Sequence, residues 1–357
     1  MKIETLHLKK FCAFKEAEFS FSTGINVFIG ANGTGKSHLL KVLYASLKAN
    51  ERSSPESLSK LTGLETLLPQ KLIGVFKPDQ DGLGRLVFRG VGRSSAEVKL
   101  HTDQGNLSFQ LTTPGNFKLV RNTLEKTPGA IFIPSRESLA LYEGLIAAYD
   151  KRELSLDETF RDLCVALSSS ALRGPRSAEI AALAGPFEKE ILQGTVRLEG
   201  GKFYVYNDDG LIEAHLLSEG QRKIASLVRL MVNGSLTSND LLFWDEPEAN
   251  LNPRLVTKVA EALRALAAAG VQVFIATHDY LLTQELSLAA EYPDQQEERL
   301  RCPINFFALS RTETEGVTVQ SGGTVAALQD NPILEEFAAH YDREQALLNR
   351  EQSTTAG

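Results

Sequence analysis

The stretch Gly30-Ala31-Asn32-Gly33-Thr34-Gly35-Lys36-Ser37 decides how this chain reads. The mainly apolar run Ile25 to Ile29 before it reads as a buried strand, and Ser37 to Leu47 after it reads as a helix. A glycine-rich turn between strand and helix is the context of a phosphate-binding loop, in which backbone N–H groups and the positive helix N-terminus face an anion. Lys36 adds a point charge for a terminal phosphate, and Ser37 a hydroxyl ligand suited to Mg²⁺. The pattern G-x-x-x-x-G-K-[ST] arises by chance in roughly one per cent of chains this long, so a merely structural turn is a poor account of it.

A second stretch completes that chemistry. The buried run Leu241-Leu242-Phe243-Trp244 ends in Asp245-Glu246-Pro247, where one carboxylate can hold Mg²⁺ and the next can polarise an attacking water. Between the two lies Leu217-Ser218-Glu219-Gly220-Gln221-Arg222-Lys223, ahead of a helix marked by Ile224, Leu227, Val228, Leu230 and Met231. Ser218 can be a plain N-cap or part of an anion-binding helix end; its place 27 residues before Asp245 favours the second.

Composition frames these motifs. The chain has 357 residues, 43% hydrophobic and 23% charged, enough for a sizeable core. A formal net charge of −7 argues against indiscriminate nucleic-acid binding by the whole surface and leaves only a local basic groove open. Cys12, Cys164 and Cys302 are odd in number and widely spaced, which suggests no metal site or disulfide framework and fits a reducing cytosol. No apolar run reaches about 18 residues and no signal peptide opens the chain, so a cytoplasmic protein without membrane contact is expected.

In chain order, residues 2–8 alternate and lead to Phe11, Phe14, Phe19 and Phe21, which predicts two antiparallel strands. The aromatics suit a core, while the turn Lys10 to Phe14 is a candidate for contacting an adenine. Residues 49–61 read as a surface loop or short helix. From Lys71 to Leu119 the period is two, and Leu72–Phe76, Arg85–Arg89, Glu97–His101 and Leu107–Leu111 read as short strands of an antiparallel β subdomain. Gly129 to Pro134 is a buried strand with Ser135-Arg136-Glu137 at its carboxyl end, where α/β sheets bind ligands. Residues 138–193 read as mostly helical with a break at Ser168–Arg176, and Thr195–Asn207 as a hairpin around Gly200-Gly201. Glu291–Arg301 suits a solvated loop, and 303–309 with 316–320 an edge hairpin. Asn331-Pro332 opens a last helix whose face of Ile333, Leu334, Phe337, Ala338 and Tyr341 is expected mainly to pack on the core, with a disordered tail from 351.

These motifs together resemble the ATP-binding cassette ATPases. Residues 30–37 match Walker A, Leu217 to Gln221 the signature, Asp245-Glu246 the end of Walker B, Pro247 to Asn252 the following loop, and Thr277-His278-Asp279 the switch after strand 271–276. The resemblance implies that Asn32, Gly33, Thr34, Gly35, Lys36, Ser37 and His38 hold ATP, and that Ser37 and Asp245 hold Mg²⁺. It implies Glu246 as general base, with His278 and Lys36 at the γ-phosphate. It further implies that Ser218, Gly220 and Gln221 act in trans on ATP sandwiched in a head-to-tail homodimer. Asn32 can equally serve only to turn the chain.

Departures narrow the branch. The glutamine that couples transport subunits to their membrane partner is missing or replaced by Glu137, and Ser218 lies 182 residues beyond Lys36, leaving room for large insertions. No heptads build SMC-like arms, and no acidic Toprim-like region follows residue 285. The chain is therefore similar to the RecF/OLD-like ATPases, many of which work with a separate nuclease or toxin in phage defence. The expected fold is α/β, a P-loop NTPase with an ABC-type head over residues 1–335, an N-terminal antiparallel β subdomain, a β-rich insertion at about 66–120 and a mainly helical one at about 138–205, then a C-terminal helix and tail at 336–357. Expected partners are a second copy and an effector protein; the alternatives are DNA-repair action at duplex ends and an ATP-glued scaffold or sensor with very slow turnover.

Overall fold

The computed structural model describes residues 1–52, 60–125, 127–170, 183–208, 210–312, 316–329 and 331–355. A six-stranded sheet positions the motifs, in the order β14-β13-β3-β12-β11-β7. Its strands are β3 (Ile25–Gly30), β7 (Ala130–Ile133), β11 (Leu241–Asp245), β12 (Gln272–Thr277), β13 (Ile304–Thr312) and β14 (Gly316–Gly322). All neighbours run parallel except β14, which closes the edge as the antiparallel hairpin predicted from the sequence.

Both faces of this sheet are covered, so its strands read as continuous apolar runs while their side chains divide by alternation. Val27, Ile29, Leu242, Trp244, Val273 and Ile275 enter one core, which holds the helices after β11 and β12. Phe28, Phe243, Phe274 and Phe307 enter the other, under the N-terminal sheet. The rings of Phe243 and Phe274 stack there at 5.0 Å. Buried Asn26 interrupts β3 without penalty because its amide bonds both Ser22 N–H (2.8 Å) and Ser22 C=O (3.0 Å).

The antiparallel subdomain is one five-stranded sheet, β2-β1-β4-β5-β6. It joins β1 (Ile3–Phe11) and β2 (Phe14–Ser20) to β4 (Ser95–Thr102), β5 (Gly105–Thr112) and β6 (Phe117–Asn122). Two of the predicted strands are absent. Leu72–Phe76 belongs to helix α2 (Lys60–Phe76), which packs on α1 (Lys36–Arg52); of Arg85–Arg89, the first two residues end the 3₁₀ turn Leu83–Leu86 and Val87 makes an isolated bridge to Phe11. Leu64, Leu68, Leu72 and Val75 are fully buried at helical spacing, which settles α2's period. The insertion expected to be β-rich from residue 66 therefore opens as a helix.

The second insertion contains α3 (Tyr142–Asp150), α4 (Glu158–Ser168), a π-helical turn Phe187–Leu192 and a three-stranded sheet of β8 (Thr195–Glu199), β9 (Lys202–Asn207) and β10 (Gly210–Glu213). The predicted hairpin is β8–β9; β10 extends it. The break expected at Ser168–Arg176 and the resumed helix from Ala178 lie partly outside the described residues. Helices α5 (Glu219–Val232), α6 (Pro253–Ala268) and α7 (Tyr280–Glu291) follow. The last helix, α8 (Pro332–Thr355), overturns two expectations: it continues past 351, and only Ile333 and Leu334 rest on the core, while Phe337 and Tyr341 are 51% and 60% exposed. Among the described residues no helix is long and apolar enough to cross a membrane.

Candidate functional site

The parallel strands bring their carboxyl ends to one edge, so loops remote in sequence meet there. Ile29 pairs with Thr277 and Asp245 with Ala276, which places the turns after β3, β11 and β12 side by side. In the first turn, Gly33 and Gly35 have φ +82° and +90°, conformations that L side chains rarely adopt. Gly35 also lies against Ala13 and Phe14; a Cβ there would sit 3.1 Å from both side chains. Lys36 Nζ donates to the carbonyls of Gly30 (2.6 Å) and Ala31 (3.1 Å), and Thr34 Oγ1 to Ala31 O (2.9 Å). Ala31, Asn32 and Gly33 are exposed, as a loop that receives a ligand must be, and His38 lies on the rim beside Phe76. The adenine contact suggested for the Lys10–Phe14 turn does not fit its aromatics, since Phe11 and Phe14 are fully buried.

The Ser37 hydroxyl lies beside the Asp245 carboxylate, whose pKa is raised by burial more than that hydroxyl lowers it. A hydroxyl and one carboxylate, both hard oxygen donors beside a phosphate-binding turn, fit Mg²⁺, which takes few protein ligands and completes its shell with phosphate and water. Burial likewise lowers the Lys36 pKa, an effect that Asp245, Glu246 and Glu248 oppose.

Glu246 follows at φ +50°, held by its N–H to Ala276 O at 2.8 Å. Its Oε1 lies 3.3 Å from His278 Nδ1, the contact that joins the two residues read as base and switch. Lys223 of α5, 1% exposed, donates from Nζ to the carbonyls of Glu246 and Ala249, each at 3.1 Å. The sequence reading missed this lysine; a cation in the first turn of an apolar-faced helix was its only mark.

At the head of α5, Ser218 and Gln221 form a capping box: Gln221 N–H donates to Ser218 Oγ (3.3 Å) and Ser218 N–H to Gln221 Oε1 (3.1 Å). Ser218 is thus an N-cap in this chain, and its exposed position leaves the helix end open to an anion. Gly220 is buried against the loop after β11; a Cβ would meet Leu251 Cδ2 at 2.4 Å. Among the described residues no hydrogen bond or ion pair joins Ser218 or Gln221 to the turn 30–37. Glu137, at the strand end where transport subunits carry glutamine, lies 2.9 Å from Arg222 Nε, an ion pair tying β7's end to α5.

Comparison with known proteins agrees with this architecture. Residues 127–283 match the family described as AAA domain, putative AbiEii toxin, Type IV TA system, and residues 1–103 match the family described as AAA ATPase domain. The chain is 32% identical over 108 residues to the DNA replication and repair protein RecF of Desulforamulus reducens, covering 28% of this chain and 29% of that protein. It is 31% identical over 169 residues to the DNA double-strand break repair Rad50 ATPase of Thermococcus kodakarensis, covering 46% of this chain and 17% of that protein. The matched part is thus under a third of either relative's length. Among solved structures, an SMC head bound to the C-winged helix domain of ScpA superposes with TM-score 0.56 at 15% identity, over 92% of this chain and all of that one. A Pyrococcus furiosus SMC head with an extended coiled coil, bound to the C-terminal domain of ScpA, gives 0.50 at 14%, over 94% of this chain and 99% of that one. Two stretches of the chain thus resemble AAA-type ATPase domains, and the fold is like that of the SMC heads.

Proposed function

We propose that the protein hydrolyses ATP to ADP and phosphate, and that two copies close head to tail around the nucleotide. One observation carries the reading: Glu246 and His278, 3.3 Å apart, stand at the strand ends that also present the turn of Lys36 and the Ser37–Asp245 pair. Gly33, Thr34 and Gly35 direct backbone N–H groups to the phosphates, with Asn32 and His38 at the rim, and Lys36 moves from its loop carbonyls to the β- and γ-phosphate oxygens. Ser37 and Asp245 would hold Mg²⁺, which would supply charge neutralisation at the phosphates. Glu246 takes the proton of the water whose oxygen bonds to the γ-phosphorus as the bond to the β,γ-bridging oxygen breaks. His278 holds Glu246 in place.

Ser218, Gly220 and Gln221 complete the site of the second copy. Their open helix end, which their own phosphate turn leaves unused, supports that assignment. Closing and opening of the dimer then controls a partner effector, a nuclease or toxin, in anti-phage defence; the toxin–antitoxin wording of the matched family supports this output. The RecF and Rad50 relatives favour a second output, action at DNA ends. Salt-dependent binding of duplex DNA by the ATP-loaded protein separates the two, because phosphate contacts weaken steeply with salt.

The first test is Glu246→Gln, which retains nucleotide binding and removes the base. Turnover is expected to fall by on the order of 100-fold or more, and the solution mass to double with Mg-ATP. Undiminished turnover sinks the base role, and an unchanged mass sinks the sandwich.

A further inference from the structure

The turn that carries Glu246 holds a second carboxylate, Glu248, which is 6% exposed. Glu248 Oε1 accepts from Thr277 Oγ1 at 2.7 Å and from the His278 backbone N–H at 3.3 Å, and lies 3.8 Å from His278 Nδ1. Burying a carboxylate is costly unless its bonds do something for the fold or the site. Among the described residues this carboxylate's hydrogen bonds to other residues go to one place, the last residue of β12 and the histidine after it. Thr277 Oγ1 in turn accepts from Asp279 N–H at 3.0 Å, so the strand end from 277 to 279 is tied by the same hydroxyl.

The His278 ring is half exposed, and the Glu246 side chain is 32% exposed, so packing does little to hold either. What restrains the imidazole is the backbone from which it projects. Two carboxylates of one turn therefore act on His278: Glu246 meets its ring, and Glu248 holds its main chain.

We infer that Glu248 is a positioning residue for ATP hydrolysis, acting through His278 by fixing the end of β12 so that the imidazole stays beside Glu246. This rests on the hydrolytic reading above. In this assignment Glu248 contacts neither the nucleotide nor the attacking water.

The test is a double-mutant cycle on the full chain, with kcat from steady-state phosphate release and ATP affinity from equilibrium binding. Glu248→Ala is expected to lower kcat about tenfold, as misplacement of a reacting group does, and to leave ATP affinity unchanged. Glu248→Gln, whose amide oxygen accepts the same two bonds, recovers most of the lost rate. In a His278→Ala background, Glu248→Ala adds at most about a twofold loss, because residues acting through one another are not additive.

A full additional loss in that background overturns the inference, as does a parallel loss of ATP affinity. Should Glu248→Ala fail to fold, Thr277→Val removes the shorter bond from the other side and is held to the same cycle. A wild-type protein inert towards ATP overturns the hydrolytic reading and this inference together. An active wild type with an unaffected Glu248→Ala overturns this inference alone.

Discussion

Glu246 and Asn250 bracket the turn after β11 with φ of +50° and +64°. Non-glycine residues in that region cost about 1–3 kcal/mol each and persist only where their surroundings over-determine them. Lys223, Glu248 and the close approach of Gly220 are those surroundings. Gly220→Ala puts a Cβ 2.4 Å from Leu251 Cδ2 and 3.2 Å from Asn250 O. A loss of about 1–3 kcal/mol in urea unfolding is expected from overpacking there; a smaller change shows that Leu251 swings aside. The thiols give a pH prediction. Burial pushes Cys12 and Cys164 up to about 12 and Cys302 to about 11. The folded state therefore keeps protons that the unfolded state releases near its ordinary thiol pKa, so these groups take stability away as pH rises from about 9 towards 11–12. Cys164, fully buried, should not react with a disulfide reagent at pH 8 until the protein unfolds; its labelling in the native protein contradicts this.

Helix α5 is the element on which the site turns, since its first turn carries the capping box of Ser218, the Arg222 contact to Glu137 and the Lys223 bonds to the base-bearing turn. Burial lowers the Lys223 pKa while Glu248, Glu219, Glu246 and Asp245 raise it. Lys223→Met leaves the Ala249 carbonyl without its donor and that of Glu246 with only the Ala249 N–H. It should cost roughly 1–3 kcal/mol of stability and reduce turnover while ATP still binds, as read by denaturation and phosphate release. Retained turnover shows that the turn keeps its shape unaided. A separate buried network joins α1, α2 and α4: Lys71 bonds Glu158 (2.7 Å) and Asp162, and Tyr44 OH donates to Asp162 (2.6 Å). This network helps explain why α2 was not legible. Its apolar run Leu72-Ile73-Gly74-Val75-Phe76 suits a buried strand or helix equally well, and contact with α1 and α4 chooses the helix.

At the scale of the whole molecule, the proposed sandwich would place Ser218 against a second copy. Ser218→Arg should therefore abolish the ATP-dependent doubling of mass without altering ATP binding to the monomer, checked by light scattering and equilibrium binding. Persistent doubling assigns assembly to other surfaces. The sequence by itself determined the glycine-rich turn, the paired carboxylates after β11, the cap ahead of α5 and the strands of the six-stranded sheet, because each rests on local rules: glycine at positive φ, an apolar run ended by a charge, a cap ahead of a periodic helix. His278 was also legible, from its distance after Asp245 and the strand before it. Other choices belonged to the tertiary structure alone. Phe11 and Phe14 lie in the core instead of against an adenine, α2 is helical, and the outer face of α8 is left open. Lys223 and Glu248 lie within stretches that the sequence singles out, but nothing local assigns either charge a partner. Their roles appear only when parallel pairing brings the ends of β11 and β12 together and α5 packs beneath them, since bonds across 23 and 29 residues of chain leave no period in the sequence.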